Sequence, residues 1–398
     1  MDILIISDFM GKMDGSGNGR FDYLAKMLID KHDVEILTSD FNHNTKSYFS
    51  TVPSGLPYKV TMVHECAYDK NVCLKRNYAH IVWAKNVKKY LYARKKPDVI
   101  YCAIPPLTPA FEAAKYCEKN QVRFIIDIQD LWPEAFKMVF HMPVINKIFF
   151  APLDWLADGI YKRADEIIAV SQTYVDRALK VNHKCNKGYS VFLGTDLATF
   201  DKNVQKNLVK RENSEEIWLG YCGSMGDSYD LNCVLEALSL IENPPKLIAM
   251  GDGQKKEQFE RYAKEKKVDA VFTGMLPYDQ MCGRLAACDI VVNPIACASS
   301  ASIINKHADY AAVGLPILNT QENPEYRKLI DTYQMGFNCE NSNASDLADK
   351  LQKLINNLQL RRKMGKNARK CAEEKFDRIT IYRTLKSVIV GEEDRIQK

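Results

Sequence analysis

Short apolar runs alternate with longer segments in which apolar residues recur every three or four positions, and the alternation occurs twice along the 398 residues. A run of four to six apolar residues bounded by turn formers is the pattern of a strand covered on both faces. The longer spacing is that of an amphipathic helix. The first series predicts strands at Ile3–Ser7, Val34–Leu37, Lys59–Val63, Val99–Ala103, Phe124–Ile128, Glu166–Val170 and Tyr189–Phe192, with helical patterns around Phe21–Leu28, Asn77–Arg94 and Pro109–Glu118. The second predicts strands at Ile217–Cys222, Lys246–Met250, Ala270–Phe272, Ile290–Asn293 and Pro316–Asn319. Helices are expected between them at Asp230–Ile241, Lys255–Lys266, Tyr278–Ala286 and Ile303–Val313, followed by a basic helical tail from Ala344 to about Val390.

Apolar strands alternating with helices predict α/β architecture with parallel sheets covered on both sides. The stretch Gly194–Ser214 is polar, carries charges of both signs and is expected to be a linker. The expected domains are therefore 1–195 and 215–375, with a tail, 376–398, that returns to the N-terminal domain. The length also exceeds what one ordinary hydrophobic core serves. Hydrophobic residues make up 46% and charged residues 26%, values of a folded chain rather than a disordered one.

The N-terminus, Met-Asp-Ile-Leu-Ile-Ile-Ser-Asp, lacks the pattern of a signal peptide, and no apolar run reaches spanning length, so a cytoplasmic location is expected. Twelve scattered cysteines without a C-x-x-C pair argue against both a disulfide framework and a zinc finger; Cys282 and Cys288 read as small buried hydrophobes. The net charge of +5 lies wholly in the N-terminal half, with 26 Lys and Arg against 21 Asp and Glu through residue 195. That excess is modest and suits an anionic surface or substrate; nothing points to nucleic acid.

Ligands of parallel α/β sheets bind beyond the carboxyl ends of the strands. Glycine-rich turns stand there in both halves. Gly15-Ser16-Gly17-Asn18-Gly19 follows the first strand, and Gly223-Ser224-Met225-Gly226 opens the second domain in the same way. Gly251 and Gly253 follow the strand ending at Met250, and Gly274-Met275-Leu276 follows Phe272. Glycine lets backbone N–H groups approach an anion and the next helix adds its positive end, although the spacing is not G-x-G-x-x-G. Asn305-Lys306-His307-Ala308-Asp309 begins a helix that closes in Ala-Ala-Val-Gly-Leu-Pro. Lys306 in its first turn suits phosphate oxygens, and Asp309 one turn later suits ribose hydroxyls. In the N-terminal half, Asp127 and Asp130 flank the end of a strand, while His43, Lys46 and Arg76 offer cations to an acceptor.

These segments resemble the family 4 retaining glycosyltransferases of GT-B fold, in particular the bacterial surface-polysaccharide (capsule and O-antigen) branch. The resemblance rests on Asp127-Ile-Gln-Asp-Leu-Trp-Pro-Glu134, Phe192-Leu-Gly-Thr-Asp196 and Tyr221-Cys-Gly-Ser-Met-Gly226. It implies two Rossmann-like doubly wound domains facing across a cleft, the N-terminal one binding acceptor and the C-terminal one a nucleotide-sugar donor, with UDP-sugar favoured. It implies that the helix of Lys306 and Asp309 binds the donor diphosphate and ribose. Together with the turns and charges read above, the expected donor residues are Gly17, Gly19, Gly223, Ser224, Gly226, Gly251, Gly274, Met275, Leu276, Ser302, Asn305, Lys306 and Asp309, the catalytic ones Asp130 and Lys306, and the acceptor ones His43, Lys46, Arg76 and Asp127. The family's Glu-x7-Glu is altered: Asp309 stands at the second glutamate and Ala301 at the first, with Ser299, Ser300 and Ser302 as neighbouring hydroxyls. Asp227 and Asp230 stand where the family carries basic residues. No Asp-x-Asp occurs, so neither a metal nor another cofactor is expected.

The apolar, aromatic stretch Ala135–Leu156 is broken by Lys137, Pro143, Lys147 and Pro152, and Trp83–Lys96 interleaves six cations with aromatics. Both suit a membrane interface, and the resemblance implies a lipid-diphosphate-linked saccharide acceptor at the inner membrane face. Two other readings of the chain are a nucleotide-sugar 2-epimerase of similar architecture and a non-catalytic nucleotide-sugar binding protein.

Overall fold

The computed structural model describes residues 1–10, 19–51, 55–71, 73–139, 143–296 and 303–392, with the backbone alone for 138–139 and 143–147. The chain forms two compact units: Met1–Val191 together with the residues from Tyr382 onward, and Phe192–Ile381. Gly17, Ser302 and the serines at 299 and 300 lie outside the described residues.

In the first unit, β1 (Asp2–Ile6), β2 (Asp33–Ser39), the short pair β3 (Phe41–Asn42) and β4 (Ser47–Tyr48), β5 (Lys59–Val63), β6 (Val99–Ile104), β7 (Arg123–Ile128), β8 (Glu166–Ala169) and β9 (Tyr189–Ser190) follow in order. Seven of them make a parallel sheet in the order β5-β2-β1-β6-β7-β8-β9, and β3 and β4 pair antiparallel. The helices are α1 (Arg20–Leu28), α2 (Leu74–Ala93), α3 (Leu107–Asn120), α4 (Glu134–Val139), α5 (Pro143–Tyr161) and α6 (Gln172–Leu179). The central strand β6, Val-Ile-Tyr-Cys-Ala-Ile, is buried at every position, as its unbroken apolar run requires.

The second unit contains α7 (Leu197–Asn207), β10 (Trp218–Cys222), α8 (Leu231–Ser239), β11 (Lys246–Met250), α9 (Lys256–Glu265), β12 (Ala270–Phe272), α10 (Tyr278–Ala286) and β13 (Ile290–Asn293). It continues through α11 (Asn305–Ala312), β14 (Ile317–Asn319), α12 (Pro324–Tyr333), β15 (Gly336–Asn338), α13 (Ala344–Ile355) and α14 (Leu358–Cys371), and then a π-helical turn, Ala372–Phe376. The last helix, α15 (Arg378–Val390), ends within the first unit, where Arg123 donates to the carbonyls of Val388 and Ile389 at 2.7 and 2.9 Å. The second sheet is parallel in the order β12-β11-β10-β13-β14-β15. The strand order reverses between β1 and β6 in one sheet and between β10 and β13 in the other, and each reversal opens a crevice at the carboxyl edge.

Three local features depart from the sequence reading. The stretch expected as a linker carries α7, whose N-terminal N–H of Thr199 is capped by the Asp196 carboxylate at 2.8 Å. It buries Leu197 and Phe200 and packs on α10 at Gly283, where a Cβ would fall 2.0 Å from the Asn207 carbonyl. Its polar outer face is what made it read as loop. The two- and three-residue strands β3, β4 and β15 are too short for any periodicity to show. Asp127, expected to meet an acceptor, is instead wholly buried. It accepts from Arg20 Nε at 2.7 Å, from a second Arg20 nitrogen at 3.1 Å and from the Tyr101 hydroxyl at 2.6 Å. This clamp ties α1 to β7.

Removing one partner of such a pair leaves the other charge buried and uncompensated. Asp127→Ala is expected to cost about 3–5 kcal/mol of unfolding free energy. Urea denaturation is the measurement; a loss under about 1 kcal/mol, the range of exposed ion pairs, would show that the clamp does not hold the unit together.

Candidate functional site

The second unit carries a pocket of about 450 Å³ beside the carboxyl end of β10 and the first turn of α11. Eight of the expected donor residues line it: Gly223, Ser224, Gly251, Met275, Leu276, Asn305, Lys306 and Asp309. The turns after β10 and β11 press directly on each other. A Cβ at Gly251 would stand 1.9 Å from the Gly223 carbonyl oxygen, and both glycines hold positive φ, +145° and +146°. Gly274 adds a bridge, its carbonyl accepting from the Gly251 N–H at 2.9 Å, and Gly226 accepts from the Tyr229 N–H at 3.2 Å. Both therefore shape the turns without lining the pocket.

Helix α11 is fixed at both edges of its first turns. The Ile304 N–H donates to His307 Nδ1 at 3.2 Å, and the His307 ring stacks on Tyr326 at 3.7 Å. The Tyr310 hydroxyl accepts from the Cys222 N–H at 2.9 Å and so locks α11 to the end of β10. This brings Lys306 inward. Its side chain is buried, and Nζ makes no hydrogen bond or ion pair among the described residues. The ammonium lies 3.8 Å from the Tyr229 ring centroid and 4.7 Å from that of Tyr221. Burial pushes its pKa down from 10.5 to about 7. Two aromatic faces stabilise the cation in part, but they are no substitute for an anion.

Asp309 accepts from the Tyr278 hydroxyl at 2.8 Å, and that hydroxyl also meets Thr195 Oγ1 at 2.9 Å. Burial raises its carboxyl to about 6, against the opposing effect of the Tyr278 hydrogen bond. Tyr221, Tyr229, Tyr278 and Thr195 thus belong to the site although the sequence reading assigned them no role. Asp230, read as standing in a cation's place, caps α8 by accepting from the Cys233 N–H at 3.0 Å, and Asp227 pairs with Lys255 at 2.6 Å.

In the first unit, Asp130 lies just beyond β7 and is bound by its own loop. It accepts from the Leu131 N–H at 2.9 Å, from Trp132 Nε1 at 3.2 Å and from the Tyr174 hydroxyl at 3.4 Å. Burial raises its pKa, and these hydrogen bonds oppose the rise. Arg76 is buried, with its guanidinium 4.8 Å from the Trp132 ring and 5.4 Å from that of Phe9, and it donates to the Asn71 carbonyl at 2.6 Å. Lys46 donates to the Asn71 side chain at 2.7 Å. His43, expected as a cation, is neutral instead: burial, with the charges of Arg76 and Lys46, lowers its pKa to about 4, and Nδ1 meets the Tyr68 hydroxyl at 2.6 Å. Gly19 precedes α1 in this unit.

Residues 204–371 match the family described as glycosyl transferases group 1. Most of the second unit is thus similar to a group 1 glycosyltransferase domain. The chain is also 24% identical over 212 residues to an uncharacterized glycosyltransferase of Methanocaldococcus jannaschii, a match covering 53% of this chain and 55% of that protein. The chain thus spans about half the length of this curated relative. Among solved structures, it is similar to a sucrose-phosphate synthase from Thermosynechococcus elongatus, with a TM-score of 0.77 and 15% identity over 98% of this chain and 99% of the other. It is also similar to the Anabaena protein HepE in complex with UDP, with a TM-score of 0.72 and 16% identity over 98% and 100%. These likenesses establish the GT-B fold. The group 1 match runs from the last residues of α7 to the end of α14 and so contains every residue that lines the pocket.

The buried ammonium has a stability signature. Its folded pKa, about 7, lies below the ordinary 10.5, so the unfolded chain holds a proton that the folded chain releases between those values. The ligand-free protein should therefore gain stability as pH rises from about 7 towards 10 through this group. Lys306→Met should be more stable than the wild type at pH 7, by on the order of a few kcal/mol, with the gap closing at higher pH. Thermal or urea unfolding across pH tests this; equal stabilities at pH 7 would mean that the ammonium is not stranded.

Proposed function

We propose that the protein is a glycosyltransferase that moves a sugar from a nucleoside diphosphate sugar, most naturally a UDP-sugar, to a hydroxyl of a saccharide or lipid-diphosphate-linked acceptor in surface polysaccharide assembly. The observation that carries the reading is the unpartnered Lys306 ammonium, buried at a helix N-terminus in a glycine-walled pocket of the group 1 domain. A diphosphate supplies the anion that Lys306 lacks, and the UDP bound by HepE supports that ligand class. In this reading the backbone around Gly223, Ser224 and Gly251 cradles the phosphates, Asn305 and Asp309 hold the ribose side, and Met275 and Leu276 flank the base. Gly226 and Gly274 support the cradle from behind. Ser302, with Gly17 and Gly19, is assigned to the sugar.

The bond from the anomeric carbon to the diphosphate oxygen breaks, and the electron pair leaves with the diphosphate. The acceptor hydroxyl forms the new bond and gives up its proton. Lys306 stabilises the charge that grows on the leaving group, an interaction that strengthens along the reaction and so acts on the rate. Asp130 is assigned to receive or orient the acceptor hydroxyl, and Lys46 and Arg76 to attract an anionic acceptor. Retention of configuration follows the family 4 resemblance, and no divalent ion is assigned to the diphosphate. Lys306→Met should weaken UDP binding by roughly 10- to 100-fold, the equivalent of about 1.5–3 kcal/mol for a charge-assisted contact. Transfer should proceed at a similar rate with or without added Mg²⁺. Unchanged UDP affinity in Lys306→Met, or a strict Mg²⁺ requirement, would sink this assignment.

We also propose that the first unit meets the cytoplasmic face of the membrane. On α5, Ile148, Phe149 and Trp155 expose 77%, 70% and 64% of their surfaces, and Lys85 and Lys89 of α2 are exposed as well. Lys88 is exposed too and pairs with Glu112 at 3.1 Å. Among the described residues no helix is long and apolar enough to cross a membrane, which leaves an interfacial seat for this face. Wild-type protein should co-sediment with phosphatidylglycerol-containing liposomes at low salt. Replacing Ile148, Phe149 and Trp155 with Ser, or Lys85, Lys88 and Lys89 with Glu, should release it. Wild-type protein left in the supernatant would dismiss the interface.

A further inference from the structure

We propose that the first unit holds one divalent transition-metal ion, of the zinc or manganese class, between Asp8, Glu65 and His80. The three residues are far apart in sequence and come from different elements. Asp8 follows β1, Glu65 follows β5, and His80 lies in the second turn of α2. All three are buried, and their ligand atoms lie within 4.8 Å of one another. His80 Nε2 stands 3.8 Å from Asp8 Oδ2 and 3.9 Å from Glu65 Oε1. Among the described residues, none of those three atoms has a hydrogen-bond partner.

A buried polar atom without a partner is costly, and three converging on one point is a rarer arrangement still. Two simpler occupants answer it less well. A hydrogen bond from His80 is too long at these separations. A proton shared by the two carboxylates would satisfy those oxygens and leave the imidazole nitrogen stranded. One cation satisfies all three atoms together. Around a tetrahedral ion with bonds of about 2.0–2.2 Å, ligand atoms stand about 3.4 Å apart; small side-chain rotations close the remaining gap. Two carboxylate oxygens and one imidazole nitrogen suit zinc or manganese, whereas magnesium and calcium prefer oxygen alone. The surroundings also hold the ligands in place. Ser39 Oγ donates to the other Glu65 oxygen at 2.7 Å and in turn accepts from the Phe41 N–H at 3.0 Å, and Thr108 donates to the His80 carbonyl at 3.0 Å.

The ion would pin the carboxyl ends of β1 and β5 to α2, directly beneath Arg76 and Trp132; the His80 and Trp132 rings are 5.9 Å apart. It lies in the first unit and takes no part in the diphosphate pocket of the second. The site therefore stands or falls independently of the transferase reading.

The test is metal titration of chelator-stripped, full-length protein. Co²⁺ and Zn²⁺ should each bind at one equivalent per chain and raise the melting temperature. The Co²⁺ complex should show visible d–d bands without thiolate charge transfer, which separates this site from the twelve cysteines. Glu65→Gln and His80→Ala should each lose that equivalent while keeping the wild-type circular dichroism. Folded wild type that binds no ion, a thiolate spectrum, or equal binding by the variants would overturn the proposal. If the variants fail to fold, the wild-type titration still decides. Metal-free Glu65→Gln melting above the wild type, with no Co²⁺ bound by either, would assign the cluster to a shared proton instead.

Discussion

A cation taken out of water without an anion is the constraint around which the second unit is arranged. Desolvation penalises the Lys306 ammonium, and two tyrosine faces compensate only in part. Everything near it serves to prevent its escape to solvent. Tyr310 fastens α11 to β10, His307 is wedged against Tyr326, and the missing side chain at Gly223 leaves the room the ammonium occupies; a Cβ there would stand 2.8 Å from Nζ. A helix free to roll would turn Lys306 outward and relieve the strain. The packing of α11 is thus a condition of the site as well as of the core, which is why seven of its eight residues are buried.

The two units share a topology and differ in what they bury at the reversal of their strand order. The second buries a cation; the first gathers carboxylates at the ends of β1 and β5 and surrounds them with Arg76, His80 and aromatic rings. The excess positive charge of the N-terminal half says nothing of this corner, because that excess is spread over exposed lysines while the acids lie inside. Net charge describes the solvent-facing field, and the chemistry of a site depends on what has been withdrawn from it.

Most of the fold was legible because buried parallel strands must be apolar at every position. The runs at Lys59–Val63, Lys246–Met250, Ala270–Phe272 and Ile290–Asn293 coincide with strands residue for residue. The glycine turns were legible for the same kind of reason, since no other residue fits where Gly223 and Gly251 meet. The tyrosines around Lys306 were not. Tyr221 reads as one more apolar strand residue, and only the approach of α11, far along the chain, turns its ring into part of a site. What Asp127 and His43 do was not legible, because a charge at or beyond the end of a strand looks alike whether it faces solvent or an arginine in the interior. Arg20 is 107 positions away from the carboxylate it neutralises. The cluster of Asp8, Glu65 and His80 was invisible for the same reason: no local spacing joins three elements that only the sheet brings together.

The contact between Gly223 and Gly251 bears on how such a protein can change over generations. With 1.9 Å between a hypothetical Cβ at Gly251 and the Gly223 carbonyl, that turn cannot accept a side chain unless its neighbour moves, and a Cβ at Gly223 would stand 2.8 Å from Lys306 Nζ, so the inner end of the pocket is closed to gradual variation. Its outer rim is under no such restriction. Met275 leaves 76% of its surface open. Descendants of this chain are therefore free to drift in what they recognise at the rim while inheriting the glycine floor unaltered. Ligand preference can diverge there quickly, on a scaffold whose ancestry stays readable in two residues that have no side chain at all.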